Sequence, residues 1–173
     1  MTLWKNGAFV AETWRFPAAD EPVGDGPAAV GRDRFLAERE ALVARNGDLG
    51  LVLQSGEGLD GLEDDIHRFR LIVLVIPRYT DGRNYSTAAI LRERFGYAGE
   101  IRATGDVLRD QIPLMLRCGI DALEVVNEPT RRALEEGKVL GVTVHLQPTI
   151  VDAARRPPAG TRPWLRVGGG SRS

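Results

Sequence analysis

The alternation of strand-length and helix-length segments after Leu49 constrains this chain more than any other feature. Leu49 to Leu53 reads as a strand, Leu59 to Phe69 as a short acidic helix, and Leu71 to Ile76 as an unbroken apolar run closed by Pro77. A run that is apolar at every position suits a strand buried on both faces. Ser86 to Phe95 follows as a helix stopped by Gly96, and Glu100 to Thr104 as a strand. Val107 to Arg117 reads as a helix stopped by Gly119, Asp121 to Val126 as a strand, and Pro129 to Glu136 as a helix between its cap Asn127 and Gly137. Val142, Val144 and Leu146 alternate with Thr143, His145 and Gln147, the pattern of a half-exposed edge strand.

Strand and helix in turn imply a parallel sheet with right-handed crossovers. A complete eight-stranded barrel needs roughly 200 residues or more, and the chain has 173. The expected fold is α/β: an open, mostly parallel sheet of about five strands with flanking helices on both faces, plus an N-terminal β-hairpin. A partial (β/α) barrel is the alternative. The hairpin spans Leu3 to Trp14 around Asn6-Gly7, both of which tolerate positive φ. Pro17 to Gly31 is rich in Pro, Gly, Ala and acid and reads as loop, and Asp33 to Arg45 as one helix ending at Asn46-Gly47. The expected organisation is a hairpin over 1–16, a linker over 17–32, an α/β domain over 33–150 and an Arg/Pro/Gly-rich flexible tail over 151–173. Trp164-Leu165 is an apolar pair in that tail, able to anchor on a partner or on the domain.

Pro113 lies inside the helical pattern and cannot donate to the carbonyl of Arg109. Either the helix kinks there or its regular part begins near Gln111. The net charge of −1 argues against a general affinity for nucleic acid or anionic membrane. Neither a signal-type apolar stretch nor an apolar run of about 18 residues occurs. With Cys118 as the single cysteine no internal disulfide can form, and a reducing, cytoplasmic setting fits.

Residues capable of chemistry gather where strands are expected to end and helices to begin, the edge where parallel sheets bind ligands. Asp81, Gly82, Arg83, Tyr85 and Ser86 follow the most apolar strand. Ser86 can cap the next helix, and free first-turn amides together with Arg83 would bind an anion. The plainer reading is a capped helix with Arg83 paired to Asp81 or Asp106. Asp106 reads first as a helix N-cap. Arg109, in the first turn that follows, opposes the helix dipole and so calls for a negative partner: Asp106, Asp81 or a bound anion. Arg83 and Arg109 together would clamp a small oxyanion or a phosphate if their loops are neighbours. Asp81 and Asp106 are the candidate catalytic bases.

Cys118 ends its helix, where the dipole disfavours a thiolate, and reads as a packed residue. His67 and His145 have no ligand-spaced neighbours, so no metal is expected. No dinucleotide or P-loop glycine pattern is present, and the cofactor stays unknown.

Asp81-Gly82-Arg83-x-Tyr85-Ser86, Leu91-Arg92-Glu93-Arg94-Phe95-Gly96-Tyr97-x-Gly99-Glu100 and Arg102-Ala103-x-Gly105-Asp106-Val107-Leu108-Arg109-Asp110-Gln111 resemble the signature of bacterial domain-of-unknown-function family 934. Arg117-Cys118-Gly119-x-Asp121-Ala122 and the Trp-containing hairpin extend the resemblance to about Leu146. Asn84 stands where the family usually has a second glycine, and Pro113 where it tends to carry a bulky apolar residue. Family members are often labelled probable oxidoreductases of sulfite reduction, a label that implies a pathway more than a chemistry. The resemblance implies an accessory protein, or an oxidoreductase, of assimilatory sulfite reduction with sulfite reductase as partner. The alternatives are a non-catalytic module that docks on the reductase or assists its assembly, and a small-molecule enzyme with an Asp base.

Overall fold

Asn6 and Gly7 adopt φ of 52° and 86° in the computed structural model, which describes residues 2–138. That backbone closes a tight hairpin between β1 (Leu3–Lys5) and β2 (Ala8–Val10), with Trp4 paired to Phe9. The hairpin is not separate from the rest. Strand β1 also pairs antiparallel with β7 (Ala122–Glu124), so the hairpin forms one end of the main sheet.

The other strands are β3 (Ala28–Gly31), β4 (Leu49–Leu53), β5 (Phe69–Ile76) and β6 (Glu100–Gly105). The seven strands among the described residues run in the order β2-β1-β7-β6-β5-β4-β3. From β3 to β7 they are parallel and strictly sequential. Right-handed crossovers that always step in one direction put every helix on the same face. The helices are α1 (Arg32–Ala37), α2 (Arg39–Ala44), α3 (Arg83–Glu93), α4 (Ile112–Arg117) and α5 (Glu128–Glu135). Their buried residues, among them Phe35, Leu42, Leu91, Met115 and Leu134, join Leu51, Leu53, Ile72, Leu74 and Ile76 of the strands in one core. This is barrel-like winding in an open sheet, and it corrects the expectation of helices on both faces. Among the described strands it also leaves no point where the order reverses, the crevice that doubly wound sheets use for ligands.

The second face carries a smaller apolar cluster of Ala29, Leu71 and Val73, with Trp14 and Val52 packed against it. No helix residue belongs to it. The chain must travel from β2 at one edge to β3 at the other, and its segment through Glu12 and Trp14 does so across this face. It is fastened by an Arg15–Ala28 bridge, with Ala29 N–H donating to Arg15 O at 2.9 Å and Arg15 N–H to Pro27 O at 3.0 Å.

Several local expectations change. Ala28–Gly31 is a strand inside the stretch read as loop; its Ala-Ala-Val run is too weak a signal alone and is ordered by pairing with β4. The expected helix over Asp33 to Arg45 breaks at Glu38, where φ is −112° and ψ 20°. Leu59 to Phe69 is not a helix. Gly61 takes φ of 79°, and only Ile66–Arg68 forms a short 3-10 turn. Its charge pattern reflects buried Asp65, which ion-pairs with Arg39 at 2.6 Å and Arg68 at 3.1 Å. The helix expected from Val107 begins at Ile112 behind Gln111, in keeping with the second of the two expectations for Pro113, which sits in its first turn, where a missing N–H costs nothing. The expectations for Val142 to Leu146 and for the tail lie outside the described residues.

Candidate functional site

The turns after β5 and β6 are neighbours, as the clamp idea requires. Asp106 Oδ2 accepts from Tyr79 N–H at 2.8 Å, and Gln111 Nε2 donates to Tyr79 O at 2.6 Å. Tyr85 O–H reaches Gln111 Oε1 at 3.0 Å, tying α3 to the same loop. Gly105 makes the approach possible. Its φ is 100°, and a Cβ there would meet Ile76 O at 2.3 Å. The tyrosine hydroxyl is held above its ordinary pKa by burial first, then by Cys118, Asp110 and Asp106.

The two arginines nevertheless diverge. Arg83 turns back on Asp81, with Nε to Oδ1 at 2.9 Å and Nη2 to Oδ2 at 2.7 Å. Ser55, from the loop after β4, donates to Asp81 Oδ2 at 2.6 Å, and this draws the pair toward β4. Arg109 donates from Nε to Lys138 O at 3.0 Å, toward the end of α5. It lines a cleft with Glu128, Arg132 and Glu136, whereas Arg83 lines another with Pro77, Arg78, Thr80 and Asp81. A joint Arg83–Arg109 clamp is therefore not formed: each guanidinium found a local acceptor first.

Two capping assignments also change. Helix α3 starts at Arg83 behind Gly82, so exposed Ser86 lies past its first turn and caps nothing. Asp106 precedes a loop, because α4 begins at Ile112, and its carboxylate serves the Tyr79 amide instead. Asn127 is a cap as expected: its Oδ1 accepts from Thr130 N–H at 3.0 Å.

Hydrogen bonds from the Arg83 side chain, then from Ser55, hold the Asp81 carboxyl far below the usual carboxylate range. A carboxylate so stabilised is a weak proton acceptor. Its partner Arg83 stays 66% exposed, and Nη1 makes no hydrogen bond among the described residues. Arg78 was not singled out from the sequence. It is exposed and has no side-chain partner among the described residues. The available signal was its place directly after Pro77 at the end of the most buried strand. Burial pushes the Cys118 thiol up, with Arg117 opposing, which fits a packed residue. Among the described residues no three His, Cys, Asp or Glu side chains gather as a metal centre requires. No helix among them is long and apolar enough to cross a membrane.

The most family-like stretch is largely structural. Arg92 donates to Gly119 O at 3.0 Å, Tyr97 O at 2.5 Å, Gly99 O at 2.9 Å and the Asp121 carboxylate. Asp121 in turn accepts from Ile101 N–H at 2.9 Å. These bonds staple α3 to the starts of β6 and β7, at the opposite end of the strands from Asp81.

A search of curated proteins finds no match. The family profile described as a bacterial protein of unknown function, DUF934, matches residues 50–155, more than half of the chain. The match takes in β4 to α5, including both the Arg92 staple and the Asp81–Arg83 turn, and the chain therefore belongs to that family.

Proposed function

We propose that this chain is an accessory protein of assimilatory sulfite reduction that holds a small oxyanion or a phosphate group at the C-terminal edge of its sheet. Membership of the family supports the pathway, through the label its members often carry. One observation carries the binding site. Arg78 and Arg83 line a common cleft of about 430 Å³ with Thr80, and both retain unused guanidinium donors. A planar guanidinium fork matches tetrahedral and pyramidal oxyanions. The cleft's one carboxylate, Asp81, is already saturated by Arg83 and Ser55. Under this reading the chain binds or delivers, and the electrons come from the reductase, since the sequence has no cofactor fingerprint.

Calorimetric titration with sulfite, sulfate and phosphate tests the site. Wild type should bind at least one of them, and Arg78→Ala and Arg83→Ala should each weaken binding by about tenfold, the worth of a charge-assisted hydrogen bond. Flat titrations for all three anions would remove the reading.

A docking role is the second reading. Tyr79 and Val126, 54% and 69% exposed, project from the loops after β5 and β7 at the same edge. Co-purification with sulfite reductase that survives Arg83→Ala but not Val126→Asp would favour it. An Asp base finds less support, because Asp81 is a weak acceptor and Asp106 is engaged by Tyr79 N–H.

A further inference from the structure

We propose a second oxyanion site at the opposite, N-terminal end of the strands, where Arg68 and Arg70 bind the phosphate or sulfate ester group of a small molecule. It does not rest on the proposed function, whose cleft lies at the other end of β5. The cleft here, of about 360 Å³, opens between the end of α2 and the starts of β4 and β5. Arg45, His67, Arg68 and Arg70 line it together with Leu42 and Leu49. Its volume falls in the range of small-molecule pockets, larger than a bare anion needs.

The charge balance points to an anion. Arg45, Arg68, Arg70 and Arg39 face two carboxylates, Asp48 and Asp65, an excess of two positive charges. Asp65 is shared between Arg39 and Arg68. Asp48 Oδ1 lies 3.8 Å from Arg70 Nε, too far for a hydrogen bond. Arg70 is 75% exposed and Arg68 57% exposed, so both forks face solvent beside the cleft. Arg45 differs from them. Its Nη1 and Nη2 are spent on the carbonyls of Gly47, Asp48, Gly24 and Gly26, so it contributes charge and shape without a free terminal donor. An arginine held against backbone, with the exposed guanidinium ends of Arg68 and Arg70 beside it, makes a cradle for a doubly negative group carried on a small organic body; Arg68 spends only Nε on Asp65, and Arg70 has only the distant Asp48 carboxylate.

The test is a titration of the full chain with inorganic phosphate, inorganic sulfate and phenyl phosphate, followed by backbone amide NMR shifts. Saturable shifts at residues 67–70 should appear and should saturate at lower concentration with phenyl phosphate than with inorganic phosphate or sulfate; an equal response to inorganic phosphate would overturn the ester assignment. Arg70→Ala and Arg68→Ala should each weaken binding about tenfold, and Arg83→Ala should leave it unchanged. Arg70→Ala removes only a solvent-facing side chain, so it decides the matter even if Arg68→Ala perturbs Asp65 and the fold. Wild-type amides at 67–70 that do not respond, or a response that survives Arg70→Ala, would overturn the proposal. Loss of the response in Arg83→Ala alone would overturn it too.

Discussion

The two faces of this sheet reach burial by different chemistry. The helix-covered face is filled with Leu51, Leu53, Ile72, Leu74, Ile76 and Leu91, all fully buried and apolar. The other face has an apolar cluster beneath Trp14, over β3 to β5, and buried Leu3 and Ala122 on β1 and β7. Over β1, β7 and β6 it holds a charge network. Arg102, 2% exposed, donates from Nε and Nη2 to Glu100 Oε1 at 3.0 and 2.8 Å and pairs with Glu12 of the crossing segment. Lys5 reaches Glu100 at 2.5 Å, and Thr104 reaches Glu124 at 2.6 Å. Apolar packing degrades gradually when one residue shrinks. A buried ion network fails sharply when one member is lost, because the remaining charges stay desolvated.

The largest expected effect breaks this comparison directly. Arg102→Ala should lower unfolding free energy by about 3–5 kcal/mol, as much as Leu74→Ala on the helix-covered face at about 2–5 kcal/mol. Urea denaturation of both variants measures it. A cost below about 1 kcal/mol for Arg102→Ala would mean that the network is effectively solvated and the two faces are not alike in importance.

A smaller effect is expected from Glu12→Gln. Glu12 is 40% exposed, so screening limits the loss to about 1 kcal/mol, but the crossing segment should loosen. Glu12 Oε1 also accepts from Thr13 and Trp14 N–H, each at 2.9 Å. Faster amide hydrogen exchange at Ala29, whose bond to Arg15 O holds the segment to β3, would report the loosening, with α3 amides unchanged.

The smallest effect concerns acid. Burial alone would raise the Glu100 carboxyl, but hydrogen bonds from Lys5 and Arg102 outweigh it and hold the group below its ordinary value. A lowered folded-state pKa contributes stability above the unfolded value, about 4.3, and loses it as pH falls through the folded one. The protection factor at Ala29, taken relative to the intrinsic exchange rate at each pH, should therefore fall on acidification before protection in the helix-covered core does. Simultaneous loss of protection on both faces would show that Glu100 is not the group that gives way.

The helix-covered face was legible in the sequence because it follows period and punctuation. The apolar run at Leu71 to Ile76, the Gly96, Gly119 and Gly137 stops and the Asn127 cap all mark local events, and each appears where expected. The Asn6-Gly7 hairpin is local in the same sense. The charged face was not legible. Lys5, Glu12, Glu100 and Arg102 are scattered over the chain, and no pattern in sequence marks residues that meet only across strands. The site was half legible: the adjacency of the Asp81 and Asp106 turns follows from β5 and β6 being neighbours. The directions of Arg83 and Arg109 do not, since long side chains go to whichever acceptor lies nearest.

By itself the sequence determined the α/β class, the parallel rhythm, the family and the edge of the sheet where polar residues collect. These are carried by short-range spacing, which backbone geometry converts directly into strands, helices and caps. Only the tertiary structure decided that all helices share one face, that Ala28–Gly31 becomes an edge strand, and that Arg83 turns to Asp81 while Arg109 turns to Lys138. Those outcomes depend on which distant groups become neighbours, and a charged side chain commits to the partner whose geometry best offsets its lost hydration.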